Sequence, residues 1–330
     1  MSHQRFLLRL QPRSAFATPL RGDLLFGQLV WSLRHARGEA GLRQLLDGYT
    51  SGMPFAVIGD PLPFSVLPRP TLPLALLGFD MAKPEDRKAV KGRRWIETTA
   101  LPHSLEHWHQ HARNDSDLTA RLGQKTPAPL WQQQVRGHNS LDRRTGTTGR
   151  SNGFAPFERE LMWFHPGLYF DLPFVLDTSR ITAEECRELI AGIGQSGYGK
   201  EASSGLGKFD ICDIEPWQPA KATETNAWFT LSPCAPQGSQ WVVQHSYYSI
   251  HVRFGRHGDA AVKSGKPWKN PLLLAETGAL LTPQKFDPAR LFIGHGLDGL
   301  SQAIPETVHQ GYAPVLPVLF KPATLLEQTA

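Results

Sequence analysis

The stretch Thr182-Ala-Glu-Glu-Cys-Arg-Glu-Leu-Ile-Ala-Gly192-Ile-Gly194-Gln-Ser-Gly197-Tyr198-Gly199-Lys200-Glu-Ala-Ser203-Ser204-Gly205-Leu-Gly207-Lys208-Phe209 takes a helix into a glycine-lined loop and out into a strand. Thr182 to Glu185 spells a capping box, and Cys186, Leu189, Ile190 and Ile193 recur at the spacing of one helix face. Six glycines between Gly192 and Gly207, two adjacent serines and a lysine then give a loop suited to gathering backbone N–H groups around a phosphate. The plain alternative is a flexible helix-to-strand connector.

Two nucleotide fingerprints match by letter and fail on context. Gly192, Gly194 and Gly197 spell G-x-G-x-x-G, but here the glycines follow a helix instead of opening one. Gly194, Gly199 and Lys200 match the start of a P-loop, yet Glu201 stands where a hydroxyl must meet magnesium. Nucleotide hydrolysis is therefore set aside in favour of a phosphodiester backbone.

Upstream, Phe6, Leu8 and Leu10 alternate as in a strand, and Phe26, Leu29, Val30 and Leu33 follow at helical spacing. Asp23 fits an N-cap or first-turn acid, and Arg21-Gly22 lie at the positive end of the helix dipole, where an anion is readily held. Arg21 could equally form a surface salt bridge. The proline-dense stretch 54–73 reads as an extended loop with edge-strand fragments.

The 330 residues carry 35 Lys and Arg against 30 Asp and Glu, a mildly basic balance of +5. The surplus sits between Lys83 and Arg150, with 13 cations against 7 acids, so this window is a candidate electrostatic footprint or an ordinary solvated loop. Lys91, Arg93 and Arg94 beside Trp95 mix cations with an aromatic, and residues 80–138 read as an insertion. His103, His107, His109 and His111 could include metal ligands at helical spacing, but exposure or RNA contact is the simpler reading. Asn139, Arg143 and Arg144 fall in a turn-rich polar run whose amides, hydroxyls and guanidinium groups suit phosphates and 2′-hydroxyls.

From Pro216 onward strands dominate, with Ile250, Val252 and Phe254 facing one way and His251 and Arg253 the other. Cys186, Cys212 and Cys234 lack zinc or disulfide spacing and read as core or near-core thiols. Without a signal peptide or membrane span, a cytoplasmic location is expected.

Taken in order, Thr18-Pro-Leu-Arg-Gly-Asp-Leu-Leu-Phe-Gly27, Leu67-Pro-Arg-Pro70, Asn139-Ser-Leu-Asp-Arg-Arg-Thr-Gly146 and Gly197 to Phe209 resemble the repeat-associated mysterious protein (RAMP) superfamily. The likeness is to the Csm subunit of type III-A CRISPR effector complexes that holds the 5′ end of the guide RNA, and it spans most of the chain. The resemblance implies an α+β fold of two ferredoxin-like, RRM-like βαββαβ domains, at 1–214 and 215–330. Residues 80–138 would be a thumb, and 192–208 the glycine-rich loop. It implies a non-catalytic, cofactor-free subunit of an antiviral ribonucleoprotein that caps the 5′ handle of the crRNA. Its partners would be the large polymerase-type subunit and the backbone RAMP subunit, with target RNA met only indirectly and no membrane. Carried onto this chain, Gly197, Tyr198, Gly199, Lys200, Ser203, Ser204, Gly205, Gly207 and Lys208 would contact the handle, with Tyr198 able either to stack on a base or to serve as a packed loop anchor. Arg21, Gly22, Asn139, Arg143 and Arg144 would complete the groove. The competing reading is a RAMP-type endoribonuclease that processes guide precursors, using a histidine as base.

Overall fold

A computed structural model describes residues 2–80, 86–143, 145–148, 155–238, 240–257 and 265–321. In chain order these form β1 (His3–Pro12), α1 (Gly22–Leu46), β2 (Ala56–Ile58), β3 (Leu62–Pro63), β4 (Val66–Pro68), α2 (Asp86–Gly92), β5 (Trp95–Glu97), β6 (Ala112–Arg113) and α3 (Asp115–Arg121). There follow β7 (Trp131–His138), β8 (Phe157–Phe164), β9 (Phe170–Asp177), α4 (Ala183–Ser196) and β10 (Phe209–Pro216). The last third comprises β11 (Ala227–Thr230), β12 (Ile250–Arg253), β13 (Leu272–Ala275), β14 (Leu280–Leu281), β15 (Phe292–Leu297) and β16 (His309–Val318).

The first sheet is antiparallel throughout, in the order β10-β1-β9-β2, with β3 continuing along β9 beyond β2. The alternation read in β1 holds, since Phe6, Leu8 and Leu10 are buried and polar neighbours are not. Leu25, Phe26, Leu29 and Leu33 of α1 share one core with Cys186, Ile190 and Ile193 of α4. Thr182 caps α4 by accepting from the Glu185 amide at 3.1 Å. The Glu185 carboxylate does not complete the capping box but leaves for Arg37 of α1. That exchange ties the two helices together at their surface.

The second sheet, β14-β11-β16-β15, is also antiparallel. No α-helix occurs among the described residues after α4, so this sheet is covered by loops and by the first unit. Every residue of β16 is buried, as is every residue of β9. Gln310 of β16 supplies a side-chain amide to the β2 backbone in both directions, at 2.7 Å each way with Ile58. The Tyr312 hydroxyl donates to the Tyr49 carbonyl at 2.6 Å in the buried seam.

The segment 80–138, read as an insertion, is built into the fold over most of its described length. β4, β5 and β6 form their own small sheet, and Ile96, Leu105 and Trp108 are fully buried. The Trp108 ring meets Phe229 edge-on at 5.9 Å, and the Leu105 amide donates to the Leu319 carbonyl. What projects is the hairpin β7–β8, whose outer strand positions are largely exposed. The basic surplus is partly neutralised as well: Arg94 holds Asp115, while Arg113 and Arg121 share Glu97. Cys186 and Cys234 are buried, as expected, whereas Cys212 is exposed.

Candidate nucleic-acid interface

The glycine-rich loop is fastened to the segment before α1. The Lys208 carbonyl accepts from the Arg13 and Ser14 amides, and Ala15 accepts from Gly207 at 2.8 Å. The Ser14 hydroxyl accepts from the Lys208 amide and the Thr18 hydroxyl from the Lys200 amide, each at 2.9 Å. Two motifs separated by most of the first unit thus form one surface. Gly207 is essential to this closeness, since φ is +72° and a Cβ there would lie 2.1 Å from the Tyr198 carbonyl.

Tyr198 is the loop's anchor. Its ring is fully buried, and its hydroxyl donates to the Pro19 carbonyl at 3.0 Å while accepting from the Arg21 amide at 3.1 Å. A ring in that position cannot stack on a base. The expected phosphate nest is likewise largely consumed, because the amides of Tyr198, Ser204 and Gly205 bond within the loop and those of Lys200, Gly207 and Lys208 bond the segment before α1. Outward the loop presents side chains: Lys200, Ser203 and Lys208 are exposed, and neither lysine forms an ion pair among the described residues. Ser204 is turned to Glu201 at 3.1 Å.

The start of α1 holds an anion, as its dipole and Arg21-Gly22 imply, but the protein supplies that anion. Asp60 accepts from the Gly22 amide at 2.7 Å, from the Arg21 guanidinium at 2.9 Å and from the Thr277 hydroxyl at 2.5 Å. Arg21 also donates to Glu276 at 2.6 Å, and these two carboxylates overcome the burial that would weaken its charge, raising its pKa further. Gly22 is buried, with space for no side chain: a Cβ would meet the Gly59 carbonyl oxygen at 2.3 Å. Arg21 and Gly22 therefore build the junction beside the loop and leave no open anion site. Next to them Asp23 is buried against Arg253 of β12 and His309 of β16. Burial opposes its ionisation, and His309 and Arg253 more than offset this, holding the carboxyl at a pKa of about 2.

The hairpin β7–β8 rises beside the loop. Arg159 of β8 donates to Glu201 at 2.5 Å, and the Phe16 and Met162 backbones exchange hydrogen bonds at the hairpin's root. Arg136 lies 5.3 Å from the Trp163 ring, giving a cation and an exposed aromatic on the same hairpin. Asn139 and Arg143 are exposed at its far end, away from the loop's anchor, and Arg144 falls outside the described residues. Sequence reading missed Arg136, Arg159, Ser14 and Thr18. An arginine near an aromatic on alternating strand positions is the signal that could have found the first two. The histidine run brings His103 and His111 into a stack at 5.4 Å, and His109 bonds the Leu77 and Glu106 carbonyls. Among the described residues no group of three or more His, Cys, Asp or Glu could hold a metal, and no helix is long and apolar enough to cross a membrane.

No protein-family model matches the chain, and no curated protein does. Solved structures do. A chain of the Csm1-Csm4 cassette in complex with pppApA aligns over 97% of this chain and 100% of its own, at TM-score 0.59 and 14% identity. The cassette with cA4 gives the same coverage at TM-score 0.58 and 15% identity. The Csm3-Csm4 subcomplex of the type III-A CRISPR-Cas interference complex aligns over 96% and 100%, at TM-score 0.58 and 14% identity. Csm4 is the subunit these assemblies share. This chain has the Csm4 fold. The likeness to a type III-A Csm subunit drawn from the sequence holds at the level of the fold. In the Csm4 fold of this chain, the loop 197–208, the segment 13–22 and the root of β7–β8 make one continuous surface.

Proposed function

We propose that this chain is the non-catalytic subunit of a type III-A CRISPR effector that grips the 5′ handle of the guide RNA. It would join the large polymerase-type subunit to the RAMP backbone in a cytoplasmic particle. The observation that carries this reading is the Csm4 fold over essentially the whole chain, shared with solved assemblies containing Csm1 in some cases and Csm3 in another. The local chemistry agrees. Lys200 and Lys208 face outward from a loop held rigid by buried Tyr198, and each would neutralise one phosphate. Ser203 adds a hydroxyl, and the hairpin extends the surface toward Asn139 and Arg143.

In this reading residues 1–214 and 215–330 are two ferredoxin-like halves. The β10-β1-β9-β2 order, with α1 and α4 between its strands, supports that assignment for the first half. The second would keep the four-stranded antiparallel sheet and dispense with the helices. The thumb is reassigned from residues 80–138 to the hairpin Trp131–Phe164, because the earlier residues are built into the core.

Sequencing the RNA that co-purifies with the tagged chain from its own cells tests the proposal. A population sharing one 5′ repeat-derived fragment is expected; an RNA population without a common end contradicts it. Specific cleavage of a guide precursor by the purified chain would favour the endoribonuclease.

A further inference from the structure

The ribbon β12–β13 has its polarity inside out. Along β12 the polar side chains point inward: Arg253 makes two bonds of 2.7 Å to buried Asp23, and the His251 ring meets Glu276 at 3.1 Å. Glu276, directly after β13, is in turn held by Arg21. The alternate positions point to solvent and are apolar, with Ile250 66%, Val252 45% and Leu273 63% exposed, and Val252 stands directly opposite Leu273. Phe254 and Trp268 extend the same surface at 72% and 64% exposure. A free ribbon of this sequence would gain by turning its apolar side to the core, but the Arg253–Asp23 ion pair to α1 fixes it the other way up. A contiguous apolar patch held rigidly outward is the mark of an interface.

We propose that this face docks a protein subunit whose contact surface is apolar at its centre and acidic at its rim. The inference rests on the reading of the chain as part of a multisubunit particle, and it does not depend on the glycine loop binding RNA. The centre consists of Ile250, Val252 and Leu273, aliphatic groups that can be satisfied by an apolar protein surface and not by phosphates or base edges. Arg253, the cation nearest that centre, is spent on Asp23 and cannot serve a phosphate. The rim is cationic: Arg256 lies 5.2 Å from the Trp268 ring, and in the sequence the stretch from Ile250 to Ala275 carries five Lys or Arg against the single acid Asp259. A carboxylate rim on the partner complements it.

The test uses the full chain co-expressed with the Csm1-type and Csm3-type subunits of the same organism. Leu273→Asp should reduce the affinity for one of them at least tenfold while the isolated variant keeps its melting temperature and its affinity for handle RNA. Arg256→Glu should weaken the same subunit. A photoreactive benzoylphenylalanine at position 273 should crosslink to that subunit in the assembled particle. Wild-type affinity of Leu273→Asp for both subunits overturns the proposal. So does a crosslink to RNA, or to a second copy of this chain. Should the wild-type chain join neither subunit, the proposed function fails along with this face; an assembled particle that leaves the face open overturns this inference alone.

Discussion

Asp23 at the start of α1 and Arg253 in β12, 230 residues apart, meet through two hydrogen bonds of 2.7 Å with the carboxylate wholly buried. This pair joins the first unit to the ribbon of the second. Asp23→Asn leaves the partly buried Arg253 guanidinium without its counter-ion, and the expected cost is about 3 kcal/mol in urea unfolding. Replacing both residues together, Asp23→Leu with Arg253→Met, should recover most of that loss. Equal destabilisation by the single and double variants would show that the pair is not what holds the junction.

The same pair makes a pH prediction. The Asp23 pKa is held at about 2 in the fold, below its ordinary 3.8, so its contribution is complete above that ordinary value and is lost as pH falls through 2. The stabilisation at stake is about 2 kcal/mol. Wild-type stability should therefore fall between pH 4 and pH 2 more steeply than that of the Leu/Met double variant, as followed by circular dichroism. Identical acid profiles would contradict the assignment.

Two glycines in and before the loop should behave oppositely. Gly207→Ala places a Cβ 2.1 Å from the Tyr198 carbonyl at a φ of +72° and should cost at least about 2 kcal/mol. Gly192 lies within α4 with open space around it, so Gly192→Ala should stabilise by about 0.5–1 kcal/mol. Thermal melting of the two variants checks both signs.

Tyr198→Phe removes the hydroxyl shared by Pro19 and Arg21 and should cost about 1–3 kcal/mol by leaving a backbone donor without its acceptor. At temperatures where it stays folded, its affinity for handle RNA should equal wild type, because the ring contacts the core and not a base. Loss of RNA affinity at unchanged stability would restore the stacking role.

Much of this was legible in the sequence where the signal is local. The helix before the glycines, the strand alternation at Phe6 to Leu10 and the α1 face at Phe26, Leu29 and Leu33 follow from periods of 3.6 and 2. The anion at the start of α1 was also legible, but not that Asp60 provides it, since that meeting depends on how β2 returns beside the helix. For Tyr198 the glycine-rich surroundings left a stacking ring and a packed anchor equally open, and the choice is decided by Pro19 and Arg21 far away in the chain. Residues 95–108 gave no period because their core side chains sit in short strands and 3-10 turns, and Trp108 finds its partner in Phe229 of the second sheet. In β12 the alternation was readable and its direction was not, because the ion pair with Asp23 decides which side turns inward.

In the proposed function the outward cations of the glycine loop bind the phosphates of the guide's 5′ end. The most direct measurement is the affinity of the Lys200→Ala/Lys208→Ala variant for a 5′-handle RNA across a salt series. Weaker binding, a log–log salt slope reduced by about 1.4 for two lost contacts to a single strand, and an unchanged melting temperature are expected. Binding with wild-type affinity and slope would contradict that role.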